Sequence, residues 1–344
     1  MEVGPLSVEV VPFALTFRQP YVTATGVLDR RESVLLRVRD ENGITGLGEG
    51  VPMTLRGGDG LRTVVSELEA WADDPGLFPT APPARCAVRT AVADLVSRRL
   101  EIPLWRHLDP GVEPRTLECN ATITAGTPDD VVSQCESWAG DGFRVFKLKA
   151  GPGEALELAA SVRHALGPDA QIRLDANGTW GDSSAALLRR LEPYDIELVE
   201  EPLTGLVELA ALAAGTTTPL VADESVNGTE EASEAARLGS CAAATVKLSK
   251  IGGLDVSLGG ALPTYLSSAL DGPVGIAAAA HAAQVLDPAL PWPGIAHGLA
   301  TGRLFEEELS ANGPLTVLNQ LDPPANGFGL GVELDEKVLA SCRL

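Results

Sequence analysis

The chain has 344 residues, enough for one large α/β barrel or for two domains, and its 45% hydrophobic and 21% charged residues are ordinary for a folded protein, which excludes disordered, collagen-like and disulfide-scaffold chains. Its 26 basic against 47 acidic residues leave a formal charge of −21 with no basic patch to offset it, so neither nucleic acid nor an anionic membrane is an expected partner. The longest apolar stretch, Gly275 to Ala280 and on past His281, falls short of the roughly 20 residues of a membrane span.

The opening MEVGPLSVEV has no basic segment before an apolar block, which predicts no secretory leader. Residues 8–17 (VEVVPFALTF) and 33–39 (SVLLRVR) are rich in β-branched and apolar residues, and the turn Asp40 to Gly43 separates the second run from ITGLGEG. This pattern predicts an antiparallel meander. Helical spacing follows from Gly60 to Ala72 and from Ala84 to Leu100, as in Ala87, Ala91, Leu95 and Val96. Residues 1–115 therefore read as an α+β unit of their own.

After Pro114 strands and helices alternate. LECNATIT is a predicted strand, and Thr127-Pro128-Asp129-Asp130 supplies an N-cap, an N1 proline and first-turn acids for a helix ending near Gly140 to Gly142. Strands FRVFKLKA, QIRLDANG, IELVEEPL, PLVADES, AATVKLSK and PTYLSSAL follow, with helices between them. Such alternation specifies a parallel sheet with right-handed crossovers. Polar residues near the strand ends, Lys149, Asp175, Glu200, Asp223, Lys247 and Ser268, are separated by 26, 25, 23, 24 and 21 residues, the length of one βα unit of a closed barrel. The barrel is expected over 116–305. No GxGxxG or Walker sequence follows any strand, so a nucleotide fold has no phosphate cradle. The five cysteines (Cys86, Cys119, Cys135, Cys241, Cys342) are odd in number and without CxxC spacing, which suits free thiols in a reducing cytoplasm.

Strand side chains alternate faces, so Lys147 pairs with Lys149, Asp175 with Asn177, and Thr245 with Lys247. At the C-terminal ends of barrel strands these side chains would meet in the mouth. Asp175, Glu200 and Asp223, from three consecutive strands, would repel one another unless a cation sat between them. With oxygen ligands only, Mg²⁺ is the expected ion, leaving positions for water and a substrate carboxylate. Any one of these acids alone reads equally well as a solvated strand end. Lys149 and Lys247 flank the trio. A lysine serves as a base only if its amine is freed, and the Lys147 ammonium, the divalent ion and burial all push Lys149 that way. A salt bridge to one of the acids is the plain alternative, and it accounts for one lysine more easily than for three.

KLK at 147–149, DAN at 175–177, VEEP at 199–202, ADES at 222–225 and VKLSKIGGL at 246–254 together resemble the muconate lactonizing enzyme subgroup of the enolase superfamily. The resemblance implies a TIM-like (β/α)7–8 barrel with an α+β capping domain built from the N-terminal region and a C-terminal segment, 306–344, that returns to it. It implies Mg²⁺ held by Asp175, Glu200 and Asp223, with Glu201 turned to the other side, and removal of the proton α to a substrate carboxylate to give an enediolate. By motif Lys149 is the base, Lys247 lies on the opposite face of the substrate, Lys147 assists Lys149, and Asn177 orients the site. His297 lies near a late strand end but matches no histidine-base motif; His107, His164 and His281 read as surface or packing residues.

LSSALDGPVGIAAAAHAA at 266–283 and HGLATGRLF at 297–305 resemble o-succinylbenzoate synthases. That likeness implies a Ser-Ser segment opening a helix over a succinyl tail, with Ser267, Ser268 and Gly272 as candidate contacts. The implied reaction is dehydration of 2-succinyl-6-hydroxy-2,4-cyclohexadiene-1-carboxylate to o-succinylbenzoate in menaquinone biosynthesis. N-succinylamino acid racemase, dipeptide epimerase and cycloisomerase are alternatives, as are a Schiff-base aldolase and, from another class, a non-catalytic binding protein. Leu248 and Asp271 depart from the usual pattern, where proline and glutamate are frequent. The loops 16–29 and 51–60 should close over the site. They carry Tyr21, Met53, and Arg18 and Arg56, either a contact for an anionic substrate or a solvated side chain. The oligomeric state is open, a homo-oligomer included.

Overall fold

The computed structural model describes residues 7–23, 26–323 and 327–344, without the side chains of Thr23 and Arg56. Three strands, β1 (Ser7–Thr23), β2 (Gly26–Arg39) and β3 (Thr45–Gly50), form the predicted antiparallel meander, and helices α1 (Leu61–Asp73) and α2 (Pro82–Arg99) cover one of its faces. β2 serves two cores by simple alternation. Val34, Leu36 and Val38 pack with Val64, Leu68 and Trp71 of α1 and with Ala87 and Leu95 of α2, while Leu35 joins the core shared with the rest of the molecule. The alternating glycines of GLGEG explain how closely α2 approaches. A Cβ at Gly48 would lie 1.9 Å from the Ala87 carbonyl oxygen, so only glycine lets helix and strand touch backbone to backbone.

The short helix α3 (Leu104–Leu108) leads into the second unit. Here the predicted strand LECNATIT divides. Leu117–Glu118 (β4) pairs antiparallel with a strand some two hundred residues later, and only Ala121–Ile123 (β5) enters the parallel sheet. α4 (Pro128–Gly140) begins with the expected cap: Thr127 Oγ1 accepts from Asp130 N, and Thr127 N donates to Asp130 Oδ2 at 3.1 Å, an arrangement worth about 1 kcal/mol. β6 (Val145–Lys149), α5 (Ala155–Leu166), β7 (Gln171–Asp175), α6 (Ser184–Leu191), β8 (Ile196–Glu200), α7 (Leu206–Ala213), β9 (Leu220–Ala222), α8 (Thr229–Leu238), β10 (Ala243–Val246), α9 (Leu248–Ile251), β11 (Thr264–Leu266) and α10 (Pro273–Ala283) then alternate.

The parallel sheet runs β11-β10-β9-β8-β7-β6-β5, each strand beside its predecessor. His297–Gly298 joins its two edges. His297 N donates to Glu118 O at 2.7 Å and Asn120 N to His297 O at 2.9 Å, while Gly298 N donates to Leu266 O at 2.8 Å. The sheet thus closes into a TIM-like barrel of eight positions, the last a two-residue bridge. His297 Nδ1 accepts from Leu266 N at 3.0 Å, and burial with the charges of Arg115 and Arg173 pushes the imidazole down to about 3, so it is neutral and structural. Within the barrel Arg173 is wholly buried, paired with Glu197 at 2.7 Å and stacked 5.5 Å from the Tyr265 ring.

Strands β12 (Thr316–Val317) and β13 (Gln320–Leu321) receive β4, and α11 (Glu336–Cys342) lies against β1. Leu344 N donates to Pro12 O at 3.1 Å and Glu336 pairs with Arg37 at 2.7 Å, so the end of the chain returns to the front sheet. Among the described residues no helix is long and apolar enough to cross a membrane.

Candidate active site

The parallel strands end at one mouth, and there a cavity of about 430 Å³ is lined by Lys147, Lys149, Asp175, Asn177, Lys247, Ser267 and Ser268 from the predicted set. Period two on β6 brings both lysines inward. Lys147 Nζ donates to Glu200 Oε2 at 2.6 Å and lies 3.0 Å from Asp175 Oδ2. Lys149 Nζ donates to Asp175 Oδ2 at 2.6 Å and to Asn177 Oδ1 at 3.0 Å. Lys247, the residue between β10 and α9, pairs with Asp223. Lys149, the expected base, and Lys247, expected on the opposite face of the substrate, stand at the ends of the second and sixth of eight barrel positions, on opposite sides of the mouth.

Glu200 and Asp223 lie fully buried beneath this cavity. Burial raises the Glu200 carboxyl above the usual carboxylate range; Lys147 opposes that, and the neighbouring charges of Asp175 and Asp223 add to it. Burial works against the Lys147 ammonium too, but Asp175 and Glu200 outweigh it and hold its proton far more tightly than usual. In this arrangement Lys147 is a cation beside Lys149. Glu201 turns away from the mouth, as strand alternation predicts: its carboxylate accepts from Asp223 N at 2.7 Å and from Ser225 Oγ, and burial pushes it up to about 7. Asn177 (φ 44°) and Glu201 (φ 41°) occupy left-handed backbone that non-glycine residues seldom adopt, strain of the kind that collects where side chains are aimed for function.

In their present rotamers the acids meet lysine ammonium groups, and among the described residues no three His, Cys, Asp or Glu side chains converge as a metal-ligand set. Two features nevertheless fit a hard divalent ion. Glu200 Oε1 is buried without a hydrogen-bond partner, and Asp175, Glu200 and Asp223 offer only oxygen donors from adjacent strand ends. A cation displacing the ammonium groups would satisfy that oxygen and relieve the repulsion that raises Glu200.

Other predicted residues are placed elsewhere. Gly272 begins α10, but its N–H donates to Glu49 Oε1 at 2.8 Å and Gly275 N donates to Glu49 Oε2 at 2.9 Å. A carboxylate of the chain itself thus fills the helix start that the sequence reading assigns to a succinyl tail. Ser268 Oγ is engaged with Asp271 Oδ2 at 2.8 Å. Arg18 is exposed and, with Gly272, lines a second cavity of about 700 Å³ between β1 and the C-terminal segment. The Arg56 side chain lies outside the described residues.

Two basic residues escape the sequence reading. Lys250 Nζ is buried under Asp223, donating to Asp223 O (2.6 Å) and Oδ1 (3.0 Å), Val226 O (2.8 Å) and Thr245 O (3.0 Å). A lysine three residues after Lys247, one helical turn on, was the available signal. Arg31 lines the cavity from β2, on the strand face shared with Ser33 and Leu35.

A family profile described as "Enolase C-terminal domain-like" matches residues 130–338. The chain is 29% identical to the N-succinylamino acid racemase of Thermus thermophilus, covering 97% of this chain and 95% of that protein. It is 26% identical to the o-succinylbenzoate synthase of Geobacillus kaustophilus, covering 94% and 92%. Among solved structures, the muconate lactonizing enzyme from Pseudomonas fluorescens complexed with muconolactone superposes with a TM-score of 0.88 at 24% identity over the whole of both chains. A dipeptide epimerase from Cytophaga hutchinsonii complexed with Mg and the dipeptide D-Ala-L-Val does so at 0.87 and 22% identity, covering 97% of each chain. At such identities the structural likeness speaks to the fold.

Proposed function

The chain belongs to the enolase superfamily, and from that premise we propose that it removes the proton α to a substrate carboxylate with the help of Mg²⁺, as a lyase converting 2-succinyl-6-hydroxy-2,4-cyclohexadiene-1-carboxylate to o-succinylbenzoate. The observation that carries this reading is the pair Lys149 and Lys247 across one cavity, with Asp175, Glu200 and Asp223 between them. In this reading 1–115 and 306–344 cover a catalytic barrel at 116–305.

Asp175, Glu200 and Asp223 would hold the ion, whose charge at the substrate carboxylate acidifies the adjacent C–H. Lys149, its amine unprotonated, takes that proton as the C–H bond breaks. Asn177 positions it, accepting from Lys149 Nζ through Oδ1 while its amide donates to Glu224 Oε1 at 3.0 Å. Lys149, now an ammonium, returns the proton to the departing hydroxide on the same face as the C–O bond breaks, so water leaves and the ring becomes aromatic. Lys247 faces the other side as a cation, and the Lys147 ammonium beside Lys149 favours the free amine of its neighbour by like-charge repulsion. The five unpaired cysteines fit a reducing cytoplasm.

The relative named as a racemase supports a second reading, in which Lys247 also exchanges a proton. Lys247→Arg separates the two, because arginine keeps the charge but cannot deprotonate. Purified enzyme with Mg²⁺ is expected to generate the aromatic absorbance of o-succinylbenzoate. Lys149→Ala should lower that rate by about 10²–10⁴-fold or more, and Lys247→Arg should retain a measurable part of it. Loss of all turnover in Lys247→Arg, with α-proton exchange on N-succinyl amino acids in ²H₂O by the unaltered enzyme, would transfer the assignment to racemase.

A further inference from the structure

We propose that Arg31 recognises a second carboxylate on the substrate, making this site selective for dicarboxylates; the inference rests on the reaction class proposed above. Arg31 is only 6% exposed, yet it lines the cavity beside Met53, Leu55, Ser267 and Ser268. Its guanidinium is held by neutral acceptors: Nε donates to Ala269 O at 3.2 Å and Nη2 to Pro52 O at 2.6 Å. Among the described residues no carboxylate pairs with it, and Asp271 and Glu49 act on it only through space. Its charge is therefore desolvated and fixed in direction by two carbonyls, with the charges of Asp271, Glu49 and Glu32 supporting it through space, and an incoming anion would add the direct charge-assisted contact it lacks.

Among the described residues the other cations lining the cavity are Lys147, Lys149 and Lys247, and all three belong to the pole of the acids at the ends of β7, β8 and β9. The helix start at Gly272 and Gly275, the remaining anion-binding feature nearby, is filled by Glu49, and Ala269 N is taken by Asp271 at 2.6 Å. A substrate with one carboxylate at the acid–lysine pole can thus place a second against Arg31, which among the described residues is the cavity-lining cation outside that pole. A substrate bearing an ammonium there would be repelled, which disfavours dipeptides whose free amino terminus reaches that wall.

The test compares o-succinylbenzoate with 2-butyrylbenzoate, which has the same chain length without the distal carboxylate, by calorimetric titration of the Mg²⁺-loaded enzyme. The unaltered protein should bind the dicarboxylate about ten- to hundred-fold more tightly, the worth of one charge-assisted contact. Arg31→Met should erase that preference while leaving 2-butyrylbenzoate binding within about two-fold, and Arg31→Lys should restore part of it. Equal affinity of the unaltered enzyme for both compounds overturns the assignment of Arg31 alone, as does an Arg31→Met protein of unchanged melting temperature that weakens both equally. Failure to bind either compound, with no α-proton exchange, overturns the proposed function and this inference with it.

Discussion

Replacing Glu49 by glutamine should change the stability of the protein with a sign that depends on pH. The Glu49 carboxyl is buried between the front sheet and α10, where it accepts from Gly272 N, Gly275 N and Ser33 Oγ at 2.8, 2.9 and 2.8 Å. Burial, with repulsion from Asp271, outweighs those three donors and pushes it from 4.5 up to about 7. The native state thus holds a proton that the unfolded chain gives up. Its contribution is complete below about 4.5 and is lost as pH rises through about 7, at about 1.4 kcal/mol per pH step, so the limiting loss is about 3 kcal/mol. Glutamine resembles the protonated acid but brings a second N–H where Gly275 already donates, at a cost of about 1 kcal/mol. The variant should therefore be about 1 kcal/mol less stable than the parent at about pH 4, nearly equal to it at about pH 5, and up to about 2 kcal/mol more stable at about pH 8. Urea denaturation at half-unit pH intervals reads all three, and Glu49 and Asp271 titrate as a pair, so the crossing rather than its midpoint is diagnostic. A variant that falls further behind as pH rises would show that the three donors win over burial, and would refute the reasoning.

Gly48→Ala places a methyl group 1.9 Å from the Ala87 carbonyl and forces α2 off the sheet; a loss of about 2–3 kcal/mol is expected in thermal or urea unfolding, and an unchanged transition would argue that the helix is not seated as described. Lys250→Met removes a buried ammonium with four acceptors and strands part of Asp223, for a loss of about 3–5 kcal/mol and weaker Mg²⁺ binding in a metal titration. Glu200→Gln should reduce Mg²⁺ affinity by about ten-fold or more, because one ligand is lost, and should lower the melting temperature of the metal-free protein, because the buried Lys147 ammonium loses a charged partner. Chelation should abolish turnover and added Mg²⁺ restore it; activity that persists in chelator would remove the metal from the reaction.

The repeating part of the fold is legible because each βα unit carries its own signal. Lys149, Asp175, Glu200, Asp223 and Lys247 recur at strand ends, and local alternation brings Lys149, Asp175 and Lys247 to the mouth and buries Glu200 and Asp223 beneath it. Contacts between distant parts of the chain leave no such trace. Nothing in LECNATIT announces that its first two residues pair with Gln320–Leu321. The helix start at Gly272 reads as a vacant anion site because Glu49, its occupant, is 223 residues away. His297 is visible as a late polar residue, but its part in joining the barrel edges depends on Leu266 and Glu118 being brought to it. Arg31 was open to period-two reasoning on RRESVLLRV, which puts it with Ser33 and Leu35, but only the folded chain shows which way that face looks.

Because neighbouring residues of β2 are committed to different cores, the front sheet cannot be exchanged as a cassette. A chimera borrowing residues 1–115 from a homologue would import its own partner for the start of α10 and its own occupant of the Arg31 position, and these must suit the host's 267–275 segment. Engineers grafting a new specificity onto this scaffold would need to transplant both sides of that seam together, and mismatched halves should yield insoluble protein more often than altered selectivity.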